Sequence, residues 1–200
     1  MPAPLLIATT NPGKLIELQA LLSDLTDQVR LLLPADINLN LDVVEDGDTY
    51  LANAAKKAWA YCQASGLLTL ADDSGLEVDA LGGAPGLYSA RYSSKPGATD
   101  ADRRAALLEN LRPYPHPWSA RFRCLIVLAS PTGEQRHAEG ICPGEIIPQE
   151  RGNNGFGYDP IFLLSERGKT MAELSMQDKN TLSHRARAVI NVIPMIKELL

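Results

Sequence analysis

The sequence predicts an α/β protein, a mixed sheet with flanking helices, and three observations carry that prediction. An apolar run at residues 5–8 is followed by leucines at helical spacing, Leu15, Leu18, Leu21, Leu22 and Leu25. A later stretch alternates strictly, with Ala120, Phe122, Cys124, Ile126 and Leu128 on one face. Helix-capping signatures punctuate the chain between its apolar runs.

The opening run is a short buried strand that passes through a loop into a helix. A second apolar run at residues 29–33 leads through an acidic stretch to a helix over residues 49–64, ended by Gly66. Residues 68–71 form the next buried strand. Thr99 and Asp102 make a Ser/Thr-x-x-acid cap before Ala105, Ala106, Leu107, Leu108 and Leu111, so a helix runs to Leu111 and stops before Pro113. The alternating strand turns at Ser130-Pro131-Thr132-Gly133 and returns antiparallel over residues 134–142. A final helix starts near Thr181, with a kink expected at Pro194. This order predicts a mixed α/β core carrying a hairpin-rich lobe, with the substrate cleft between the two lobes. No repeat and no Pro/Gly/Ser linker divides residues 1–200 into independent domains.

Composition narrows the function. With 19 basic against 24 acidic residues and a net charge of −5, the chain has no global attraction for nucleic acid or for an anionic membrane, so phosphate must be bound locally. A 45% hydrophobic content supplies a sizeable core. No apolar run approaches the roughly 18 residues that span a bilayer, and Met1-Pro2-Ala3-Pro4 lacks the basic start of a secretory signal, so a cytoplasmic location is expected. Cys62, Cys124 and Cys142 are odd in number and widely spaced, which fits buried inert thiols rather than disulfides or zinc ligands. With only His116, His137 and His184, a metal centre must rely on carboxylates.

Four loops and one basic group can carry chemistry, and each also has an ordinary structural reading. Thr9, Thr10, Asn11, Pro12, Gly13 and Lys14 lie between a strand and a helix, where free N–H groups and the helix dipole favour an anion; the segment is not a Walker-type loop and also reads as a plain helix start. Asp72, Asp73 and Ser74 follow an apolar strand and offer hard oxygen ligands suited to magnesium, or a polar turn. Glu45 precedes the helix that carries Asn53 and Lys57, and reads either as a third carboxylate or as a solvated loop. In the glycine-rich segment 152–160, Phe156 can stack on a base, or the segment can be a hairpin loop with a core aromatic. Lys179, His184 and Arg185 form a basic group near the last helix, which also fits a solvated helix face.

The order of these segments is more specific than any one of them. Thr-Thr-Asn-Pro-Gly-Lys at 9–14, the Glu45 loop, Ala-Asp-Asp-Ser-Gly-Leu at 71–76, Leu-Gly-Gly-Ala-Pro-Gly at 81–86, Ser-Ala-Arg-Tyr-Ser at 89–93, Phe-Gly-Tyr-Asp-Pro at 156–160 and Ser-His-Arg at 183–185 follow one another. Over essentially the whole chain this resembles the inosine triphosphate pyrophosphatase family, the bacterial non-canonical purine nucleotide pyrophosphatases. The resemblance implies an elongated two-lobed homodimer that converts ITP, dITP and XTP to monophosphate and pyrophosphate with Mg2+. It further implies that residues 9–14 and Lys57 face phosphate, that Glu45 and Asp73 serve the metal, and that Asp73 is the general base. Ser74 contacts substrate in the same reading. Phe156, Gly157, Tyr158 and Asp159 frame base and sugar, and Lys179, His184 and Arg185 complete base recognition. Many relatives carry an acid where this chain has Ala52. A Maf-like pyrophosphatase of other base specificity and a non-catalytic nucleotide-binding regulator are the alternatives.

Overall fold

The computed structural model describes residues 2–200. The chain folds into two compact units: unit 1 is the chain up to Asp73 with Cys124–Gly140 and His184–Leu200, and unit 2 is Ser74–Arg123 with Ile141–Ser183. Seven strands hydrogen-bond in the order β2-β1-β3-β4-β5-β6-β7.

In unit 1, β1 (Ala3–Ile7) runs parallel to β2 (Val29–Leu32) and to β3 (Leu68–Val78), with Leu5 opposite both Leu31 and Leu68. Parallel neighbours need crossover connections, and two helices supply them. Helix α1 (Pro12–Leu21) follows β1; Asn11 caps it by accepting the Lys14 N–H at 3.0 Å, and Pro12 occupies its first turn, where a missing N–H costs nothing. The helix ends before the leucine stripe does, and Leu25 reaches the core from a 3-10 turn at Ser23–Leu25. Helix α2 (Tyr50–Ser65) starts at Thr49, whose side chain accepts the Ala52 N–H, and stops at Gly66, which takes φ +67°.

Strand alternation sorts the core of unit 1 into two layers. On one face Leu5, Ile7, Leu68, Leu70, Ile126 and Leu128 pack with Leu18 and Leu22 of α1 and with Val189, Val192 and Ile196 of the last helix, α5 (His184–Leu199). On the other, Leu6, Ala8, Ala71, Val127 and Ala129 pack with Ala54, Ala58, Tyr61 and Cys62 of α2. Strands covered on both faces read as continuous apolar runs, as residues 5–8 do. Gly140, near the middle of β5 (Gln135–Ile146), has no room for a Cβ, which would meet the His184 carbonyl and the Ala188 N–H where α5 begins.

Strand β3 is longer than the sequence suggests. Asp72, Asp73 and Ser74 lie within it rather than beyond its end, because buried partners reach one oxygen of each carboxylate there and no turn is needed to expose them.

In unit 2, α3 (Asp100–Leu111) begins with the expected capping box between Thr99 and Asp102. Its Leu107 and Leu111 pack with Leu76 and Val78 of β3, Trp118 and Phe122 of β4 (Trp118–Ala129), and Phe162 of β6 (Phe162–Leu164). Strand β6 pairs antiparallel with β5 and with β7 (Lys169–Thr170). The expected single helix from Thr181 is instead two: α4 (Met176–Leu182) and α5, separated by Ser183, whose ψ of 159° is extended. Pro194 lies inside α5 without ending it. Among the described residues no helix is long and apolar enough to cross a membrane.

Candidate active site

Adjacent residues on a strand point to opposite faces, and β3 uses this to give its two aspartates different environments. Asp72 continues the face of Leu68 and Leu70, towards α1 and α5. It is fully buried, and its Oδ2 receives Lys14 Nζ at 3.1 Å and Arg185 Nη2 at 3.2 Å. The Arg185 guanidinium, 1% exposed, also pairs with Glu17 of α1. Burial alone would raise the Asp72 carboxyl; Lys14, Arg185 and Lys57 overcome it and hold the group well below the carboxylate range. Arg185 faces the converse balance: burial works against its charge, and Asp72 and Glu17 more than restore it.

Asp73 continues the face of Thr69 and Ala71, towards α2. Its Oδ2 accepts from Asn53 Nδ2 at 3.1 Å, while Asn53 Oδ1 accepts the Gly47 N–H at 2.7 Å. One amide thereby ties the acidic loop to the strand. A Cβ at Gly47 would come within 2.8 Å of both Ala52 Cβ and Asn53 Oδ1, so the loop lies tight on α2. Glu45 pairs with Lys57. Burial pulls the Lys57 ammonium down, but Asp72 and Glu45 outweigh it and keep the group charged. Asp73 is raised from the usual aspartate value, chiefly by burial and also by the negative charge of Glu45, against Lys14 and the Asn53 hydrogen bond.

A carboxylate raised by burial and by a second carboxylate is one that a divalent cation would relieve, so Glu45 and Asp73 fit a magnesium ion. Among the described residues no group of three or more His, Cys, Asp or Glu side chains is gathered for a metal. Magnesium keeps waters and takes substrate phosphates to complete its shell, so two carboxylates are enough to hold it.

Unit 2 carries a second constellation. The Phe156 N–H donates to Asp159 Oδ2 at 2.9 Å, the same oxygen pairs with Lys179 Nζ at 2.5 Å, and that ammonium lies 5.2 Å from the centre of the Phe156 ring. Asp159 and Lys179 are 3% and 4% exposed, so the pair is desolvated. Gly155 takes φ +74°, and a Cβ there would run into the Asp159 carboxylate. Tyr158 is buried, with its hydroxyl donating to Ser89 O at 2.8 Å; the Ser89 hydroxyl in turn accepts the Leu76 N–H at 2.9 Å.

A family model described as the Ham1 family matches residues 5–195. The chain belongs to the Ham1 family. A dITP/XTP pyrophosphatase of Desulfotalea psychrophila is 46% identical over 94% of this chain and 82% of that protein. Another, of Desulforamulus reducens, is 45% identical over 98% of this chain and 96% of its own length. The solved structure of a HAM1 protein from Coxiella burnetii aligns with a TM-score of 0.88 at 39% identity, covering 98% of this chain and 99% of that one.

In this Ham1 chain the residues expected from sequence fall into two groups. Unit 1 gathers Lys14, Glu45, Lys57 and Asp73, with Thr10, Asn11 and Pro12 exposed and Thr9 and Gly13 half-buried at the start of α1. Unit 2 gathers Phe156, Gly157, Tyr158, Asp159 and Lys179, and Ser74 opens it. His184 is buried at the start of α5. Arg185 is not a solvent-facing donor: its charge is committed to Glu17 and Asp72. Ala52 is exposed in the first turn of α2. Glu17 escaped the sequence reading, and Asn53 was named in it without a role. The available signal was the same for both, a polar side chain set in the apolar stripe of a helix, beside Leu18 in α1 and Ala54 in α2.

Proposed function

We propose that this Ham1 chain hydrolyses non-canonical purine nucleoside triphosphates, ITP, dITP and XTP, to the monophosphate and pyrophosphate. The observation that carries the reading is the division of labour on β3. Asp72 is spent on the buried cations, while Asp73, raised by burial and aimed at the α2 side beside Glu45 and Lys57, is left to act as a base. The two relatives named above, whose names specify dITP and XTP, support the substrate class.

Water attacks the α-phosphorus, the bond to the β-phosphate oxygen breaks, and pyrophosphate leaves with the extra negative charge. Asp73 takes the proton of the attacking water, its carboxylate held in place by the Asn53 amide. Lys14 and Lys57 neutralise the phosphates, and the positive end of the α1 dipole adds to them. Asn53 fixes the Asp73 rotamer and the Glu45 loop together. Magnesium, held by Glu45 and Asp73, would withdraw charge from the phosphoryl oxygens.

Phe156 stacks on the base and Gly157, Tyr158 and Asp159 shape its surroundings. Lys179 and His184 supply donors for the 6-oxo group that hypoxanthine and xanthine present and adenine lacks. A donor left facing the adenine amino group is a costly mismatch, which makes such discrimination large. Ser74 contacts the substrate, and Arg185 contributes by holding Asp72 and Glu17. The chain works as one functional domain in the cytoplasm, and the family resemblance implies a homodimer.

The test is a panel of purine triphosphates assayed for both products with and without Mg2+. Pyrophosphate release that favours ITP, dITP or XTP supports the proposal; orthophosphate release alone, or equal turnover of ATP and GTP, overturns it. Asp73→Asn should lose about 10²–10⁴-fold in kcat, the range for a general base, with folding retained.

A further inference from the structure

We propose that Arg104 and Asp100 of α3 are positioning residues for nucleobase recognition, acting by clamping the Gly157 peptide and through it the setting of Phe156. The proposal rests on the reading above that the Phe156 loop frames the base.

Both polar groups of the Gly157 residue are held by α3. Its N–H donates to Asp100 Oδ2 at 2.8 Å, and its carbonyl accepts from Arg104 Nη1 at 2.8 Å. The rest of the Arg104 fork reaches back along the chain, Nε to Glu150 Oε1 at 2.8 Å and Nη2 to Glu150 Oε2 at 3.0 Å. One guanidinium therefore pins the loop at two points, Glu150 before it and Gly157 within it. Arg104 is 12% exposed and its bond to the Gly157 carbonyl is partly buried, while the Glu150 carboxylate, 47% exposed, anchors the fork from the solvent side.

Asp100 is itself held in place: its Oδ1 pairs with Arg103 Nη1 at 2.6 Å, and Arg103 Nη2 donates to Ala98 O at 2.9 Å. The capping box at Thr99 and Asp102 fixes the helix start from which Asp100 and Arg104 project. The opposite side of the loop is tied elsewhere, Asn154 N–H to Ala172 O at 3.0 Å and Asn154 Nδ2 to Leu174 O at 2.9 Å.

The clamp is placed where the backbone most needs it. Gly155 and Gly157 both take positive φ, +74° and +62°, and Phe156 lies between them. Glycines on either side give the Phe156 peptides a freedom that Asp159 restrains from within the loop, through the Phe156 N–H and carbonyl, and that α3 restrains from outside. Rotation of the 157 peptide would swing the Phe156 ring off the Lys179 ammonium that now lies 5.2 Å from its centre. A lysine at 104 has no planar fork and cannot serve Glu150 and Gly157 together.

The experiment compares wild type, Arg104→Ala, Arg104→Lys, Asp100→Asn, Phe156→Ala and the Arg104→Ala/Phe156→Ala double variant. The readouts are kcat and KM for dITP, and inhibition by inorganic tripolyphosphate, a probe with phosphates and no base. Arg104→Ala should raise KM for dITP about tenfold, the worth of roughly one charge-assisted hydrogen bond, with kcat within about twofold and tripolyphosphate inhibition unchanged. Arg104→Lys and Asp100→Asn should fall between it and wild type. In the Phe156→Ala background Arg104→Ala should add less than about twofold, because both act on one element.

An unchanged KM in Arg104→Ala, multiplication of the two effects in the double variant, or parallel weakening of dITP and tripolyphosphate each overturns the clamp. If Arg104→Ala does not fold, Asp100→Asn and Arg104→Lys decide by the same criteria. Failure of the underlying reading looks different: wild type would not turn over dITP, or Phe156→Ala would leave KM untouched.

Discussion

Replacing Asp72 by asparagine removes one charge from a buried group of four: Glu17 and Asp72 against Lys14 and Arg185. The volume hardly changes, so no cavity arises. The substituted amide can still accept a hydrogen bond, but the cluster goes from neutral to a net charge of about +1 in a region where Arg185 is 1% and Glu17 3% exposed. Breaking one partner of a buried ion pair costs about 3–5 kcal/mol, because the stranded charge keeps its desolvation penalty. At roughly 2–4 °C per kcal/mol for a chain of this size, Tm should fall by about 6–20 °C. Thermal and urea unfolding of Asp72→Asn beside Glu109→Gln, an exposed control from the Glu109–Arg112 ion pair expected to lose little, measures the difference. A loss for Asp72→Asn no larger than that of the control would refute the reasoning, since it would mean that water already reaches the Arg185 guanidinium.

Gly140→Ala should be among the most damaging single-methyl changes, because the added carbon meets main-chain atoms of α5 that cannot turn aside; loss of soluble protein, or a Tm fall larger than that of Asp72→Asn, is the expected outcome. Gly155→Ala should cost about 1–3 kcal/mol from its left-handed backbone and should displace Asp159 from Lys179, seen as a higher KM for dITP. Cys124, with its thiol pushed up to about 12 by burial and by the Asp72 charge, should resist a thiol reagent at pH 8 in the folded protein and react once it is unfolded. The Asp102 carboxyl is lowered by its hydrogen bonds from Lys95 and Thr99, so its contribution is present above the unfolded value near ~3.9 and is lost as pH falls through the folded one. The stability gap between wild type and Asp102→Asn should accordingly be flat near neutrality and close in acid.

What the sequence revealed depended on how far apart the partners were. Thr49 and Gly66 bound α2, and Thr99 with Asp102 starts α3, because caps are settled within a few residues. The hairpin at residues 130–133 was legible for the same reason. Asp72 and Asp73 looked like a turn because the groups that allow them inside a strand are remote, Arg185 being 113 positions further on. Which aspartate faces which layer follows from strand parity, but only once β3 is known to extend past residue 71. The grip of Arg104 on Gly157 spans 53 positions and rests on a backbone carbonyl, an atom every residue carries, so no residue type could announce it. Resemblance of the ordered motifs named the family where local physics left each loop ambiguous.

The way the chain is divided between its units has a consequence for its birth on the ribosome. Unit 1 begins with the first strand and is completed only by His184–Leu200, and unit 2 is interrupted by Cys124–Gly140. At about 5–20 residues per second, Leu5, Ile7, Leu18 and Leu70 emerge many seconds before Val189, Val192 and Ile196, the side chains that will cover them. The nascent chain must therefore carry an uncovered apolar sheet face through most of synthesis. That interval, rather than the finished enzyme, is where chaperone dependence and sensitivity to C-terminal truncation should concentrate.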